Sequence, residues 1–357
     1  MVKVAVIGCG TIANSAHIPS YMNCPDAEIK YFCDIIPERA EAAVEKYGCG
    51  IAVTDYHDIL NDPEIEAVSI CTPNKVHSTI SIDFLKAGKN VLCEKPAAIN
   101  LEEALKMQEV QHETGKVLNI GVVNRFNDPV NMIKKYIEDG KLGEVFHVYA
   151  SFRAHRSIPG LGGAFTTKAI AGGGVLIDWG VHFIDIVMYC TGDPTPLAVT
   201  GDTFSKLGKD IPGYTYRNMW AGPPVLDGIY DVEESCTGII RTNGPTVTLH
   251  GAWAQNIANR EMYIDFMGDK GGIRLQYGKG FTYYTAKDGK LVEETPEIDT
   301  TNLFAEMFQN EINSFVRCVR SGEKLPSHID NVIKSAKIMQ ALYDSSDKKA
   351  EVRLLKK

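Results

Sequence analysis

The chain has 357 residues, 44% of them hydrophobic and 23% charged, with a formal net charge of −8. This length suits about two domains, each able to bury its own core. The acidic balance argues against nucleic acid or an anionic membrane surface as a partner, and no run of eighteen apolar residues offers a membrane span.

The N-terminal third alternates strand and helix. Residues 2–7 form a short apolar strand that ends in Gly8-Cys9-Gly10-Thr11-Ile12-Ala13 and passes into a helical stretch. Residues 29–33 are a second strand closed by Asp34. A helix over 37–47 follows, with proline in its first turn. Residues 51–53, 67–71, 90–94 and 117–121 read as further strands, separated by helices over 56–61, 77–87 and 101–114. Continuous apolar strands alternating with helices predict a doubly wound parallel sheet. Ligands of such sheets sit at the carboxyl ends of the strands.

The turn Gly8-x-Gly10-x-x-Ala13 has the dinucleotide-binding spacing. The first glycine permits the tight turn, the second lets backbone approach a pyrophosphate, and the small third residue lets helix and strand pack closely. The anion then lies on the N–H groups of the helix start, at Thr11 and Ile12. A lone motif of this kind is weak. Here it follows the first strand, opens a helix, and is answered by an acidic residue after the second strand. Asp34 suits the adenosine ribose hydroxyls, and a carboxylate there repels a 2′-phosphate, so NAD is expected over NADP.

Two loops follow the next strand ends. Cys71-Thr72-Pro73-Asn74 leads to His77, and Glu94-Lys95-Pro96 holds a lysine between a strand end and a proline. Taken alone, the first is ordinary turn chemistry and Lys95 could be a surface residue paired with Glu94.

From about Asn124 the alternation ends. A helix is expected over 129–138, then strands at 145–152, 197–203, 235–241, 246–254, 262–267 and 272–276. Short turns between several of these predict a mainly antiparallel sheet. Arg153, His155 and Arg156 end the first of them and are candidate substrate contacts. Between 172 and 185 three glycines open what reads as a helix, apolar except for Asp178, His182 and Asp185. Their spacings of four and three place all three on one face. Charged groups on a buried helix need partners or a polar cavity. Residues 205–230 form a long segment without clear strands, rich in aromatic residues. Long structureless segments in compact domains are usually functional or disordered, and its aromatic content speaks against disorder. Two helices, near 304–319 and 329–343, close the chain.

The nine cysteines are odd in number and lack CxxC pairs, which suits a reducing compartment without disulfides. No Cys/His cluster has ligand spacing, so no metal is expected. The N-terminus lacks a signal-peptide pattern, and a cytoplasmic protein is expected.

Together, the GxGxxA turn, Cys71-Thr72-Pro73-Asn74…His77, Glu94-Lys95-Pro96, the Gly-rich Asp178…His182…Asp185 helix, Asp231-Val232-Glu233-Glu234 and the Trp253 strand resemble the Gfo/Idh/MocA oxidoreductases along essentially the whole chain. The resemblance implies that Lys95, Asp178 and His182 are catalytic. It assigns Cys71, Thr72, Pro73, Asn74 and His77 to the cofactor, with Glu94, Lys95 and Asn124 beside them. It implies a cis peptide before Pro96, an open-faced, mainly antiparallel C-terminal sheet, and a homo-oligomer, dimer or tetramer, built through the free face of that sheet.

The expected architecture is therefore a Rossmann NAD-binding domain over 1–123 and an α+β domain over 124–357 for substrate and oligomerisation, with the last helices packing back on the first domain. The expected activity is oxidation of a secondary hydroxyl of a sugar, glycoside or cyclic polyol, with hydride passing to nicotinamide C4. Lys95 and His182 share the acid–base work, and Arg153 and His155 join Lys95, Asp178 and His182 in binding substrate. Alternatives are a redox-neutral, NAD-retaining glycosidase acting by transient oxidation and elimination, a dehydrogenase whose product a separate lyase cleaves, and a non-catalytic NAD-binding regulator.

Overall fold

The computed structural model describes residues 1–257 and 261–354. The chain divides into two compact units. The first joins Met1–Phe126 to Asn302–Ile333, and the second joins Asn127–Thr301 to the chain from Lys334 onward.

In the first unit, strands β1 (Val2–Ile7), β2 (Ala27–Cys33), β3 (Ile51–Val53), β4 (Ala67–Ile70), β5 (Asn90–Glu94) and β6 (Leu118–Gly121) form one sheet. Its order is β3-β2-β1-β4-β5-β6, and every pairing is parallel. The strand order reverses between β1 and β4, which puts the ligand crevice of such a sheet at the carboxyl ends of these two strands. Helices α1 (Ile18–Met22), α2 (Pro37–Tyr47), α3 (His57–Leu60), α4 (His77–Lys86) and α5 (Leu101–Thr114) connect them. Val4, Val6, Ala67, Val68, Val91 and Leu92 are fully buried, as strands covered on both faces require. One local reading changes: the helix after the glycine turn begins with a π-helical turn over Ala13–His17.

In the second unit α6 (Asp128–Glu138) precedes strand β7 (Val145–Arg153). Two short helices follow, α7 (Lys168–Ala171) and, after a π-helical turn over Leu176–Gly180, α8 (Val181–Cys190). The sheet continues with β8 (Pro196–Phe204), β9 (Ser235–Thr242), β10 (Thr246–Ala252), β11 (Glu261–Gly268), β12 (Gly271–Gln276), β13 (Phe281–Lys287) and β14 (Lys290–Glu294). Helices α9 (Leu303–Ser321) and α10 (Ile329–Lys348) precede a last short strand, β15 (Val352–Arg353). The nine strands run β14-β13-β12-β11-β7-β10-β9-β8-β15. All neighbours are antiparallel except the central β7 and β10.

Along β7, Val148, Ala150 and Phe152 are buried with the residues of α8 in one core. Residues 205–230 contain no strand or helix. In the first unit, α9 contributes Ile312, Phe315 and Val316 to the core beneath β1 and β2. Within Lys168–Cys190 an 18-residue window has the length and mean hydropathy, 1.5, to cross a membrane, yet 72% of that window is buried within the protein. That is the signature of a core helix.

The expected single helix opened by three glycines is replaced by a break. Gly172 adopts φ +87° and ends α7. The π-helical turn then carries Asp178, and α8 carries His182 and Asp185. The three side chains of the even stripe expected from α-helical spacing also differ in burial. Asp185 is 1% exposed, whereas Asp178 and His182 are each partly open to solvent.

Candidate active site

The sequence-predicted residues fall into two sets, one in each unit. In the first unit β1 runs straight into the glycine turn. Gly8 holds φ +92°, and a Cβ there would lie 2.7 Å from the carbonyl oxygen of Cys71. Only glycine fits this crossing of the β1 and β4 strand ends. A Cβ on Gly10 would meet nothing within 4 Å, so the backbone there is open to a ligand's approach. Asp34 is buried at the end of β2. Its carboxylate accepts the N–H of Cys9 and the N–H of Ile36, each at 2.9 Å. The same side chain thus fixes the shape of the glycine turn and presents the remaining lone pairs to hydroxyl donors. Thr72 Oγ1 is buried without a hydrogen-bond partner among the described residues. An orphaned hydroxyl, an open glycine cradle and a strand-end carboxylate that accepts from ribose hydroxyls are the groups that a dinucleotide needs, so these residues fit NAD.

Lys95 follows β5, and the Lys95–Pro96 peptide is cis. Its backbone N–H donates to Glu94 Oε2 at 3.0 Å. The other carboxylate oxygen of Glu94 lies 2.8 Å from His17 Nε2, and both side chains are buried. Burial pushes the Glu94 carboxyl up, but the His17 hydrogen bond, with the charges of His17, Lys95 and His77, holds it below the usual range. His17 sits at the end of the π-helical turn and also faces Ser69, whose hydroxyl meets Tyr21 at 2.7 Å. No reading of the sequence singled out His17. A lone histidine in an apolar helical stretch opposite a strand-end carboxylate was the available signal.

His77, the first residue of α4, is 1% exposed. Its Nδ1 lies 2.7 Å from the Pro96 carbonyl oxygen and its Nε2 lies 2.8 Å from that of Thr72. Two acceptors demand two donors, so the ring is an imidazolium. Burial lowers its pKa, but the Cys93 sulfur and the two carbonyls outweigh burial and raise it to about 9. His77 therefore ties the Thr72 loop to the Lys95 turn through its own ring. Asn74 opens the short turn before α4. Asn124 is buried in a 3₁₀ turn after β6.

In the second unit each of the three glycines has a separate reason. Gly172 takes the left-handed backbone that ends α7. A Cβ on Gly173 would lie 2.1 Å from the Tyr343 hydroxyl, and one on Gly174 would lie 1.9 Å from the Glu233 carbonyl oxygen. The Glu233 side chain accepts the N–H of Gly174 and of Leu176, both at 3.0 Å. Asp178 Oδ2 accepts the indole N–H of Trp253 at 3.2 Å. Trp253 is fully buried, so this donor is rigid.

Arg153 forms an ion pair with Glu261 and donates to Ser151 Oγ at 3.2 Å. His155 Nδ1 accepts from Arg217 Nε at 3.2 Å, and Arg156 lies over the ring of Tyr214. The segment after β7 is thereby laced to the 205–230 segment.

Comparison with known proteins identifies the family. Residues 2–122 match the oxidoreductase family with an NAD-binding Rossmann fold, and residues 130–274 match the GFO/IDH/MocA C-terminal domain. Among curated relatives, D-glucoside 3-dehydrogenase of Escherichia coli is 31% identical over 99% of this chain and 97% of its own. Inositol 2-dehydrogenase of Rhizobium meliloti is 25% identical over 98% of each. The solved structure of levoglucosan dehydrogenase in complex with NADH and levoglucosan superposes with a TM-score of 0.86 at 23% identity. It covers 99% of this chain and all of that one.

Fold and sequence together define an NAD-dependent oxidoreductase. The chain belongs to the GFO/IDH/MocA family, whose two domains it carries in order.

Proposed function

We propose that this protein oxidises a secondary hydroxyl on a sugar, glycoside or cyclic polyol. The supporting observation is the 31% identity, over nearly the full length of both chains, to a D-glucoside 3-dehydrogenase. The inositol 2-dehydrogenase relative keeps the cyclic polyols in view. Bound NAD⁺ supplies the hydride acceptor, C4 of its nicotinamide. Gly8, Gly10, Thr11 and Ile12 hold the pyrophosphate at the helix start, and Asp34 takes the adenosine ribose hydroxyls. Thr72 and Asn74 hold the nicotinamide side, with Cys71, Pro73, Glu94 and Asn124 shaping the pocket. His77 acts here by fixing two loops.

The reacting hydroxyl must lose its proton as hydride departs, so a base must lie within hydrogen-bond reach. His182 takes that proton, histidine being the side chain most often used as a general base. The Lys95 ammonium stabilises negative charge growing on the oxygen. Asp178, steadied by Trp253, binds a neighbouring hydroxyl or orients His182. Arg153 and His155 bind more distant hydroxyls. The open face of the second sheet carries Tyr149, Tyr263 and Ile239 in partly exposed positions, which suits a homo-oligomer interface.

The test is a screen of inositols, free hexoses and glucosides for NADH formation by the purified protein with NAD⁺. NADH formed with at least one of them supports the reading. Tightly held NAD, no NADH and release of aglycone from a glucoside would replace it with the redox-neutral glycosidase.

A further inference from the structure

The adjacent glutamates Glu233 and Glu234 precede β9, and both are buried. Buried carboxylates demand partners, because an uncompensated buried charge is expensive. These two find theirs in opposite directions.

Glu233 turns toward the glycine run. Its carboxylate accepts from Gly174 N–H and Leu176 N–H at 3.0 Å each, and from the Tyr343 hydroxyl at 2.8 Å. Its main-chain carbonyl accepts Val175 N–H at 3.1 Å. These are the orphan N–H groups of a helix start, which has no side-chain cap of its own. A carboxylate is the group that a helix N-terminus favours. Two elements at once exclude a side chain from the glycine run: the Tyr343 hydroxyl at Gly173 and the Glu233 carbonyl at Gly174. The start of the helical segment bearing Asp178 and His182 is therefore seated against this glutamate.

Glu234 turns toward the long segment. Its carboxylate accepts the N–H groups of Lys206, Leu207 and Gly208 and the hydroxyl of Tyr230. Those residues are the two ends of the 205–230 segment. One side chain thus clamps both ends of a stretch that has no hydrogen-bonded ladder to hold it. The Glu234 carbonyl also accepts Trp253 N–H at 2.8 Å, and the Trp253 indole reaches Asp178.

We propose that Glu233 and Glu234 are a pair of positioning residues with divided labour. Glu233 sets the segment carrying Asp178 and His182, and Glu234 sets the 205–230 segment as a substrate-selecting loop. This inference rests on the dehydrogenase reading for its kinetic half. It also makes a structural claim that needs no substrate.

The test compares Glu233→Gln, Glu234→Gln and Tyr343→Phe by steady-state kinetics and by amide hydrogen exchange. A glutamine presents one acceptor oxygen where Glu233 uses two. Small displacements of catalytic groups cost turnover steeply, so E233Q should lower kcat by about tenfold or more. Its KM for the sugar should change less, by about threefold, because Arg153, His155 and the 205–230 segment keep their places. E234Q should do the reverse, raising KM by about tenfold with kcat near that of the parent. Y343F, which removes one donor and keeps the ring, should follow E233Q weakly. In exchange measurements, E233Q should deprotect residues 174–182, and E234Q should deprotect 205–230.

Equal effects of both glutamine variants on kcat and KM, or faster exchange spread over the whole unit, would overturn the proposal and leave a purely structural role. If no substrate is found, the dehydrogenase reading fails on its own, while the exchange pattern still decides the two anchoring roles.

Discussion

His77 and Pro96 are joined by a 2.7 Å hydrogen bond from Nδ1 to the carbonyl oxygen, and the opposite ring nitrogen reaches Thr72 at 2.8 Å. A buried histidine held between two carbonyls is charged. Its folded pKa of about 9 lies above the unfolded value of about 6.5. The stabilisation is fully present below about pH 6.5 and is lost as pH rises to about 9. Thermal unfolding from pH 6 upward should show this decline over that window, by a few kcal/mol at most. His77→Asn should unfold at lower temperature near neutrality and show a flatter profile. A parallel decline in both proteins would contradict the assignment.

Glu311 on α9 is 1% exposed, and neither carboxylate oxygen has a hydrogen-bond partner among the described residues. Burial, with the nearby Glu94 charge, holds its carboxyl well above the usual range. The folded chain therefore keeps a proton that the unfolded chain releases above about pH 4.3, so the fold loses stability as pH rises past that point. Glu311→Gln has no proton to lose. It should raise the unfolding temperature at pH 7, by roughly 1–3 kcal/mol of stability. The advantage should vanish below about pH 4. An equal or lower melting temperature at pH 7 would count against a buried neutral acid.

His182→Ala should reduce turnover by roughly 10²–10⁴, the usual worth of a general base. Binding of NADH, followed by its fluorescence, should survive. Near-normal turnover would transfer the base role to Lys95.

Asp34→Ala removes a carboxylate that organises the glycine turn and repels a 2′-phosphate. The KM for NAD⁺ should rise by about tenfold, while activity with NADP⁺ improves relative to NAD⁺. An unchanged ratio of the two cofactors would show that Asp34 serves only the turn.

Much of the first unit was legible because its signals are local. Apolar strands, capping glycines and the Gly8-x-Gly10 turn each follow from short-range chemistry, and all six strands form in parallel. The second unit was read less completely. The hairpin of β13 and β14 went unread although Asp288-Gly289 stands between its strands. Both of these residues take positive φ, the requirement of a two-residue turn, but the exposed, charged β14 carries little apolar pattern. The roles of His17 and Glu233 depend on partners 77 and about 60 residues away in the chain, beyond the reach of any periodicity. The glycine run was recognised as unusual, but its reason lies in Tyr343 and the Glu233 carbonyl, which only tertiary packing brings near. The wide turn at Leu176–Gly180 shifts Asp178 out of α-helical phase with His182 and Asp185, which α-helical spacing does not anticipate.

The wide turn at Ala13–His17 has a consequence for how this chain tolerates length changes. A π-helical turn is an α-helix that has absorbed one surplus residue. Each residue in a regular helix advances the side-chain direction by about 100°. Deleting one residue between Ala13 and His17 would let the segment rewind into ordinary α-helix, preserving its hydrogen bonding and much of its packing. Residues from Ile18 onward would keep their phase, while His17, inside the turn, would point differently relative to Glu94. A shortened chain of this kind should fold yet lose the buried His17–Glu94 link behind Lys95, so the surplus residue acts as a local spacer that aims His17.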